Sequence, residues 1–320
     1  MTERRILLAA AAALTATRTL HAQEAGAWPS RPIRFVVPFP PGGTTDIVAR
    51  VYAQRMAQRL GQPMVVENRA GAGGTVGSDA VAKATPDGYA FVMSNIASHA
   101  VGPNVYPRVP YDSVRDFTHI ALLADVPSVL VVGEASPARD LAGFLFAART
   151  RPVTVASPGN GTTSHVLTTT LARLTGTQLV HVPYRGSAPG ISDVMGGTVE
   201  AMITTLAEAG RNDRVRILAI TSGRRTPGWD AVPTFTELGL PQMTAPTWFG
   251  LSGPPGLPDA IADRMSAAAL EALSTETVRA RLADFGAVPP AHDRAWYAGY
   301  VADELARWGK AVREAGVRAD

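Results

Sequence analysis

Small and hydroxyl-bearing residues cluster with glycine where predicted strands run into predicted helices. The segments are Pro38–Asp46, Ser94–His99, Ser157–His165, Tyr184–Ala188 and Thr204–Thr205. They offer backbone N–H groups, hydroxyls and helix N-termini, which can hold an anion without a matching positive side chain. Each segment alone is typical of an ordinary turn or helix cap. Their recurrence in one chain favours a cleft for a small anion.

Motifs for bond-breaking chemistry are largely missing. Gly42-Gly43 lacks the Gly-Lys-Ser/Thr ending of a phosphate-binding loop, and Val76 stands where a dinucleotide fingerprint beginning at Gly71 needs its last glycine. No Gly-x-Ser-x-Gly elbow occurs in the sequence. The histidines are scattered, without metal-ligand spacing. We therefore predict no catalytic residues, no cofactor and no metal.

The composition of the 320-residue chain narrows the class further. Cysteine is absent, which rules out disulfides, thiolate metal sites and a cysteine nucleophile. Hydrophobic residues make up 46% and charged residues 18%, as in folded globular proteins. The net charge is only +3, and no basic run or basic–aromatic stripe occurs, so we expect no nucleic-acid partner.

The N-terminus has the pattern of an export signal. Arg4-Arg5 precedes a short apolar stretch, and Leu20-His21-Ala22 ends in a small residue. These features are typical of a secretory signal peptide, and the apolar stretch is too short to span a bilayer. We predict a signal peptide over residues 1–22, cleavage after Ala22 and a periplasmic mature protein. The arginine pair leaves the general secretory and twin-arginine export routes both open.

The remaining chain alternates apolar strands with amphipathic helices. Predicted strands are Ile33–Val37, Met64–Val66, Tyr89–Met93, Val129–Val132, Val153–Ala156, Leu179–Val182, Val199–Ile203, Ile217–Ile220 and Trp248–Leu251. Predicted helices run from a cap at Thr45 or Asp46 to Gly61, and over about 71–84, 140–149, 164–175, 187–195, 258–274, 275–285 and 292–315. This alternation predicts parallel strands with right-handed crossovers.

The last part of the chain has too few strands for a sheet of its own, so we expect it to pack back onto the first part. This gives a discontinuous first lobe, residues 28–125 with 246–320, and a second lobe, residues 126–245. The chain then crosses between two α/β lobes near residues 125 and 245.

Several segments resemble the substrate-binding proteins of tripartite tricarboxylate transporters, the Bug family. The resemblance rests on Arg31-Pro32-Ile33-Arg34, Val37 to Gly43 with Thr45-Asp46, Val66-Glu67-Asn68-Arg69, Gly71 to Gly74, Pro86-Asp87-Gly88-Tyr89, Ser157 to Gly161 with His165, His181 to Gly186, and Gly196-Gly197 with Val199-Glu200. It extends from about Trp28 to the C-terminus. It implies a type II periplasmic-binding-protein fold, in which two lobes close over a ligand cleft.

The resemblance also implies the ligand class and the binding residues. Family ligands are small organic carboxylates, gripped by one loop from each lobe, partly through water. The implied ligand-binding residues are Pro41, Gly42, Gly43 and Thr45 from the first lobe, Ser94 and Ser98 from a third loop, and Ser157, Gly159, Asn160, Thr162, Thr163, Ser164, His165, Tyr184, Arg185, Thr204 and Thr205 from the second lobe. Arg185 either pairs with a distal acid group of the ligand or is a surface charge.

The chain departs from the family at one wall of the implied cleft. Family members often carry an acidic residue and an amide where this chain has Thr204-Thr205, and the helix and loop that follow are shorter here. We therefore expect the wall at Ile203–Asp213 to set ligand selectivity. The lost acid argues against an amine-bearing ligand such as aspartate and leaves di- and tricarboxylates and aromatic acids. Trp248 and Phe249 either flank an aromatic ligand or belong to the core.

The sequence thus favours an extracytoplasmic solute receptor. It would capture a small organic carboxylate by lobe closure, act as a monomer and deliver the ligand to membrane transporter subunits. Two alternatives stay open. The closed form could engage a signalling partner instead, or the chain could be an exported enzyme of the same design with His165 or His99 as a base.

Overall fold

Two five-stranded sheets organise the chain. The computed structural model describes residues 28–210, 212–288, 292 and 294–318, so the predicted signal peptide lies outside the described residues. The strands are β1 (Ile33–Val37), β2 (Met64–Asn68), β3 (Ala90–Asn95), β4 (Thr118–Val126), β5 (Ser128–Gly133), β6 (Val153–Ser157), β7 (Leu179–Pro183), β8 (Ala201–Thr205), β9 (Val215–Ile220) and β10 (Thr247–Gly253).

Helices connect most of these strands. They are α1 (Thr44–Leu60), α2 (Thr75–Ala82), α3 (Gly102–Val105), α4 (Leu141–Thr150), α5 (Thr163–Thr175), α6 (Ser187–Gly196), α7 (Leu206–Ala209), α8 (Asp259–Ser274), α9 (Glu276–Ala283) and α10 (Arg294–Ala315). A π-helical turn at Ala97–Val101 leads into α3, and short 3₁₀ turns lie at Ala72–Gly74 and Pro241–Met243. Within the described part of the chain, no helix is long and apolar enough to cross a membrane.

The first sheet has the order β2-β1-β3-β10-β4 and the second β7-β6-β8-β5-β9. Strand β1 pairs in parallel with β2 and β3, and β6 pairs in parallel with β7 and β8. Strands β10 and β5 are antiparallel to their neighbours. We call the halves built on these sheets the first and second lobes. As predicted, the last strand of the chain returns to the first sheet.

Helix α1 shows how local sequence sets an element. Strand β1 is apolar and almost wholly buried, and α1 ends at Gly61, whose φ of +73° suits a residue without a Cβ. The predicted cap at Thr45 or Asp46 is wrong, because both residues lie inside the helix. The N-cap is Gly43, which has the extended backbone that this position requires.

Two further predictions need correction. The helix predicted over 71–84 is shorter, because Gly73 and Gly74 both have positive φ and delay the start of α2 until Thr75. Strand β4 was not predicted, since its apolar run continues through Pro127 almost directly into β5. That junction is the first chain crossing. The proposed lobe boundaries at residues 125 and 245 stay predictions.

The long C-terminal helix α10 belongs to both lobes. It packs against β4 of the first lobe and α5 of the second. The apolar cluster around it joins Leu122 and Trp248 of the first sheet with Leu130 of the second and Val166 of α5. The lobes are therefore held together by one continuous apolar core, which contains residues of both lobes.

Buried polar groups lie in this shared core. The indole N–H groups of Trp248 and Trp308 both donate to Glu304 Oε2, at 3.0 and 3.1 Å, and Arg307 forms an ion pair with Glu304 at 2.6 Å. Trp248, left open above, is thus a core residue. Near them, Asp125 Oδ1 at the end of β4 is buried without a hydrogen-bond partner among the described residues. Burial raises the pKa of Asp125 to about 7, and the charge of Glu304 acts in the same direction.

Replacing Asp125 by asparagine should remove a pH-dependent loss of stability. Between the ordinary pKa of 3.8 and the folded pKa of about 7, the folded chain keeps a proton that the unfolded chain has released. The unfolding free energy of the wild type therefore falls as pH rises through this window. The Tm of Asp125→Asn relative to wild type should rise from about pH 4 to about pH 7 and then level off. The corresponding gain in unfolding free energy is up to about 4 kcal/mol.

Thermal unfolding at a series of pH values measures this effect, with Asp112→Asn as the matched control. Backbone N–H groups of Arg115 and Val114 hold the pKa of Asp112 below its ordinary value, so its contribution is complete above the ordinary carboxyl pKa. The relative Tm of the control should stay level across the same window. A level difference for Asp125→Asn as well would contradict this interpretation.

Candidate functional site

A cavity of about 290 Å³ opens between the two lobes. It is lined by residues of the loop before α1, the strand ends of β3 and β10, and the second-lobe loops that precede α5, α6 and α7. The residues predicted from the sequence that line it are Pro41, Gly43, Thr45, Thr162, Thr163, Ser164, Arg185, Thr204 and Thr205. Phe249 lines it as well, so this ring contributes to the cavity wall.

Three helices direct their N-termini at the cavity. Thr44 at the start of α1, Thr163 at the start of α5 and Ser187 at the start of α6 all belong to its lining. The first N–H groups of a helix have no partner within the helix and lie at its positive end. The cavity therefore combines several anion-attracting positions with few charged side chains.

The N-terminus of α5 has unused hydrogen-bonding capacity. Thr162 is its N-cap, and the Thr162 hydroxyl donates to Gly159 O at 2.8 Å and accepts from His165 N–H at 3.4 Å. Thr163 Oγ1 is buried in the cavity wall and has no hydrogen-bond partner among the described residues. The next residue, Ser164, also lines the cavity. These groups can donate to an anion placed at the N-terminus of α5.

The N-terminus of α1 is arranged differently. Thr44 N–H donates to Glu208 Oε1 at 2.9 Å, and the Thr204 hydroxyl donates to Glu208 Oε2. The hydroxyls of Thr44 and Thr205 also share a hydrogen bond. Because Thr44 belongs to the first lobe and the other residues to the second, this cluster joins the lobes across the cavity.

Glu208 is a site residue that the sequence interpretation missed. The expectation considered only the acid lost at Thr204-Thr205, whereas Glu208 lies four residues beyond Thr204 and its carboxylate accepts from the Thr204 hydroxyl. Because Glu208 places an acid in this wall, the argument against amine-bearing ligands no longer holds. The available signal was an acid three positions after the end of β8, in the first turn of a short helix.

A second contact joins the lobes beside the cavity. Tyr106 of the first lobe donates its hydroxyl to Asn160 O of the second at 2.8 Å, and its ring packs on Gly161. Gly73 of the first lobe also lies close to Gly161. The loop before α5 is therefore in contact with the first lobe.

Some of the predicted residues lie beside the cavity rather than in its lining. Ser94 is fully buried and hydrogen-bonded to Ser252 and Tyr297, both at 2.8 Å. Ser98 is fully buried and hydrogen-bonded to Asn95 and to His99 Nδ1. These serines hold the turn after β3, which brings Asn95, Ile96 and Ala97 to the cavity.

The second-lobe loop contains a similar supporting pair. Ser157 is buried, with its Oγ 2.6 Å from His181 Nε2, and the rings of His165 and His181 stack at 3.8 Å. Burial lowers the pKa of His181 to about 4, with an additional effect from His165. Neither histidine belongs to the cavity lining, and the stacked rings support the loop before α5.

The remaining predicted residues are also outside the lining. Gly42 N–H donates to the Asp46 carboxylate at 3.0 Å, and the Tyr184 hydroxyl donates to Asp193 at 2.6 Å. Gly159 and Asn160 serve through their carbonyl groups, as described above. Their direct contact with a ligand stays a prediction. No group of three or more potential metal ligands occurs among residues 28–210, 212–288, 292 and 294–318.

Comparison with known proteins gives this cavity a context. A family described as "Tripartite tricarboxylate transporter family receptor" matches residues 48–317. The protein encoded in the tcbD–tcbE intergenic region of Pseudomonas sp. (strain P51) is 41% identical, over 97% of this chain and 94% of that protein. Protein BugT of Bordetella pertussis is 39% identical, over 92% of each chain.

Solved structures agree with these matches. The periplasmic binding protein BugD superposes with a TM-score of 0.86 at 29% identity, over 92% of this chain and 100% of that one. MatC from Rhodopseudomonas palustris, solved with bound malate, superposes with a TM-score of 0.84 at 34% identity, over 89% of this chain and 100% of that one. An R. palustris protein solved with adipate superposes with a TM-score of 0.86 at 34% identity, over 91% of this chain and 99% of that one. The predicted periplasmic-binding-protein fold and the predicted resemblance are confirmed.

Adding a methyl group at Gly161 should break the contact between the loop and Tyr106. Gly161 has φ +67°, and a Cβ there would lie 2.5 Å from Tyr106 Cε2. Gly176, at the other end of α5, has φ +63° with nothing within 4 Å of its Cβ position, so Gly176→Ala carries the backbone strain alone. That strain costs about 1–2 kcal/mol, and Gly161→Ala should cost about 1–3 kcal/mol more.

Urea unfolding of both variants measures the difference. In a Tyr106→Ala background the obstructing ring is gone, so the two glycine substitutions should cost the same. Equal costs in the wild-type background would show that the Tyr106 ring does not rest on Gly161 in solution.

Proposed function

The chain belongs to the tripartite tricarboxylate transporter receptor family, and from this membership and the cavity we propose that it is a periplasmic receptor for a small organic carboxylate. It captures the acid between its lobes and delivers it to the membrane subunits of a transporter. We expect it to act as a monomer after removal of residues 1–22. The family match favours transport over the signalling and enzymatic alternatives.

One observation carries the proposal. The N-terminus of α5 lies at the cavity, where Thr163 belongs to the lining and its buried hydroxyl has no partner among the described residues. A buried hydroxyl without a hydrogen bond is unfavourable, and an acceptor that enters the cavity relieves that cost. A carboxylate is the acceptor that also suits the positive end of the helix.

We expect the acid to be held by donors at the start of α5. One carboxylate oxygen accepts from the backbone N–H groups at the start of α5, and the hydroxyls of Thr163 and Ser164 donate to the same group. Such donors keep the carboxylate ionised. They are neutral, so the empty site does not bury an isolated positive charge.

Contacts between the lobes supply the closing step. The Thr44–Glu208 and Tyr106–Asn160 hydrogen bonds both span the cleft beside the cavity. A ligand that touches α5 on one side and the first-lobe loop on the other adds to these contacts. It therefore shifts the population of the protein towards the closed form.

The size of the cavity and its relatives suggest the ligand class. A volume of about 290 Å³ suits a small acid. MatC was solved with malate and a second R. palustris protein with adipate, both short aliphatic acids, at 34% identity to this chain. We propose short aliphatic and aromatic acids as the ligands to examine.

Replacing Thr163 by valine should weaken ligand binding without destabilising the empty protein. Valine keeps the shape of threonine, and the hydroxyl has no partner to lose among the residues that the structure describes. A hydrogen bond to a charged group contributes about 1.5–3 kcal/mol, so the dissociation constant should rise roughly ten- to a hundredfold. A thermal-shift screen of residues 23–320 against organic acids identifies a ligand, and calorimetry then measures both proteins.

The matched control is Thr168→Val on the same helix. Its hydroxyl donates to Ser164 O at 2.8 Å, and Thr168 is not part of the cavity lining. The control should bind like wild type. If no acid shifts the Tm of folded, ligand-free protein, or if both variants bind equally well, carboxylate capture at α5 is wrong.

A further inference from the structure

The cavity contains a carboxylate of the protein itself. Glu208 Oε1 accepts from Thr44 N–H at 2.9 Å, at the first residue of the 17-residue helix α1. This is the position where an external anion would gain most from α1. The neighbouring Gly42 N–H is also engaged, by the Asp46 carboxylate at 3.0 Å. Two donors of the first-lobe loop are therefore already bonded to carboxylates of the protein.

Glu208 is held in this place from several directions. Its second oxygen accepts from the Thr204 hydroxyl. Its helix, α7, is fixed by the buried side chains of Leu206 and Ala209 and by Leu206 N–H, which donates to Pro127 O at 2.8 Å. Gly43 lies directly against the carboxylate, since a Cβ there would be 3.3 Å from Glu208 Oε1. The glutamate is thus a built part of the cavity wall.

The two anion positions of the cavity differ as a result. At α1 the position is filled by Glu208, whereas at α5 the Thr163 hydroxyl has no partner among the described residues. Among the described lining residues, Glu208 carries a negative charge and Arg185 a positive one. Arg185 is exposed at the cavity rim, where solvent screens it. Glu208 is half-buried, and its charge acts more strongly inside the cavity.

We propose that Glu208 is a specificity-determining residue that replaces a second ligand carboxylate at the N-terminus of α1. The receptor therefore takes acids with a single carboxylate, held at α5, and disfavours a second carboxylate at the other end. It differs in this from the relatives solved with malate and adipate, which are both diacids. The proposal rests on the proposed function, because it assumes that α5 binds the first carboxylate. Like charges placed together disfavour the diacid, and this repulsion is a means of rejecting a close analogue.

Matched pairs of ligands test this directly. Succinate, adipate and terephthalate are each compared with their half-amides, which keep the length and shape but carry one carboxylate. For every pair that binds, wild-type protein should bind the half-amide at least tenfold more tightly than the diacid in calorimetry. Binding of the diacid equally well or better would overturn the proposal while leaving carboxylate capture intact.

Two variants identify Glu208 as the cause. Glu208→Gln keeps the shape and removes the charge, so the preference should fall to within about threefold. Glu208→Ala also frees Thr44 N–H, so the preference should reverse towards the diacid. If the alanine variant does not fold, the glutamine variant decides alone. An unchanged preference in Glu208→Gln would overturn the assignment to this residue.

The control is Glu134→Gln, a second-lobe carboxylate that pairs with Arg216 on the surface and does not line the cavity. It should keep the wild-type preference. If none of the six acids binds wild type, the proposed carboxylate capture fails, and the proposal for Glu208 fails with it.

Discussion

Backbone N–H groups at the start of a helix must find acceptors, and three helices of this chain begin at one cavity. The cause is topological, since each of these helices follows the carboxyl end of a parallel strand, β1 in the first sheet and β6 or β7 in the second, and these ends face the cavity between the lobes. The cavity is therefore rich in donors before any side chain is considered. The side chains decide which donors stay available. Glu208 engages the first donor of α1, whereas the hydroxyl of Thr163 at α5 has no partner among the described residues.

The rest of the fold keeps these helix ends facing each other. Helix α10 packs on both lobes, and the apolar cluster around Trp248 runs through both. Buried indole N–H groups there require an acceptor, which Glu304 supplies. A packed core resists shear, so opening is expected where polar contacts cross the cleft. The hydrogen bonds of Thr44 with Glu208 and of Tyr106 with Asn160 are such contacts, and water can replace each of them when the cleft opens.

Much of the fold follows from sequence periodicity. Strand β1, the end of α1 at Gly61 and the return of β10 to the first sheet were all predictable, because buried strands, glycine stops and the strand count are local signals. Strand β4 was missed because no turn residue apart from Pro127 separates it from β5. The cap of α1 was misplaced by two or three residues, because Thr45 and Asp46 are good caps by type and only the backbone shows that Gly43 has the extended geometry. The structural roles of Ser94 and Ser98 could not be predicted from the sequence. One partner of Ser94, Tyr297, is distant in the chain, and the hydrogen bond of Ser98 to His99 depends on the geometry of the turn.

Glu208 shows why a binding wall is difficult to read from residue types alone. Thr204 and Thr205 at the end of β8 are neutral, and their residue types alone therefore suggest a neutral wall. The side chain of a glutamate is long enough to return one helical turn, and its carboxylate reaches the Thr204 hydroxyl and the start of α1 together. The wall therefore carries a negative charge although the residues at the end of the strand are neutral. Because both oxygens of the carboxylate accept hydrogen bonds, the group is fixed in place and contributes to the shape of the cavity as well as to its charge. With the role proposed for Glu208, selectivity depends on which helix N-terminus the protein leaves available, rather than on how many positive side chains surround the ligand.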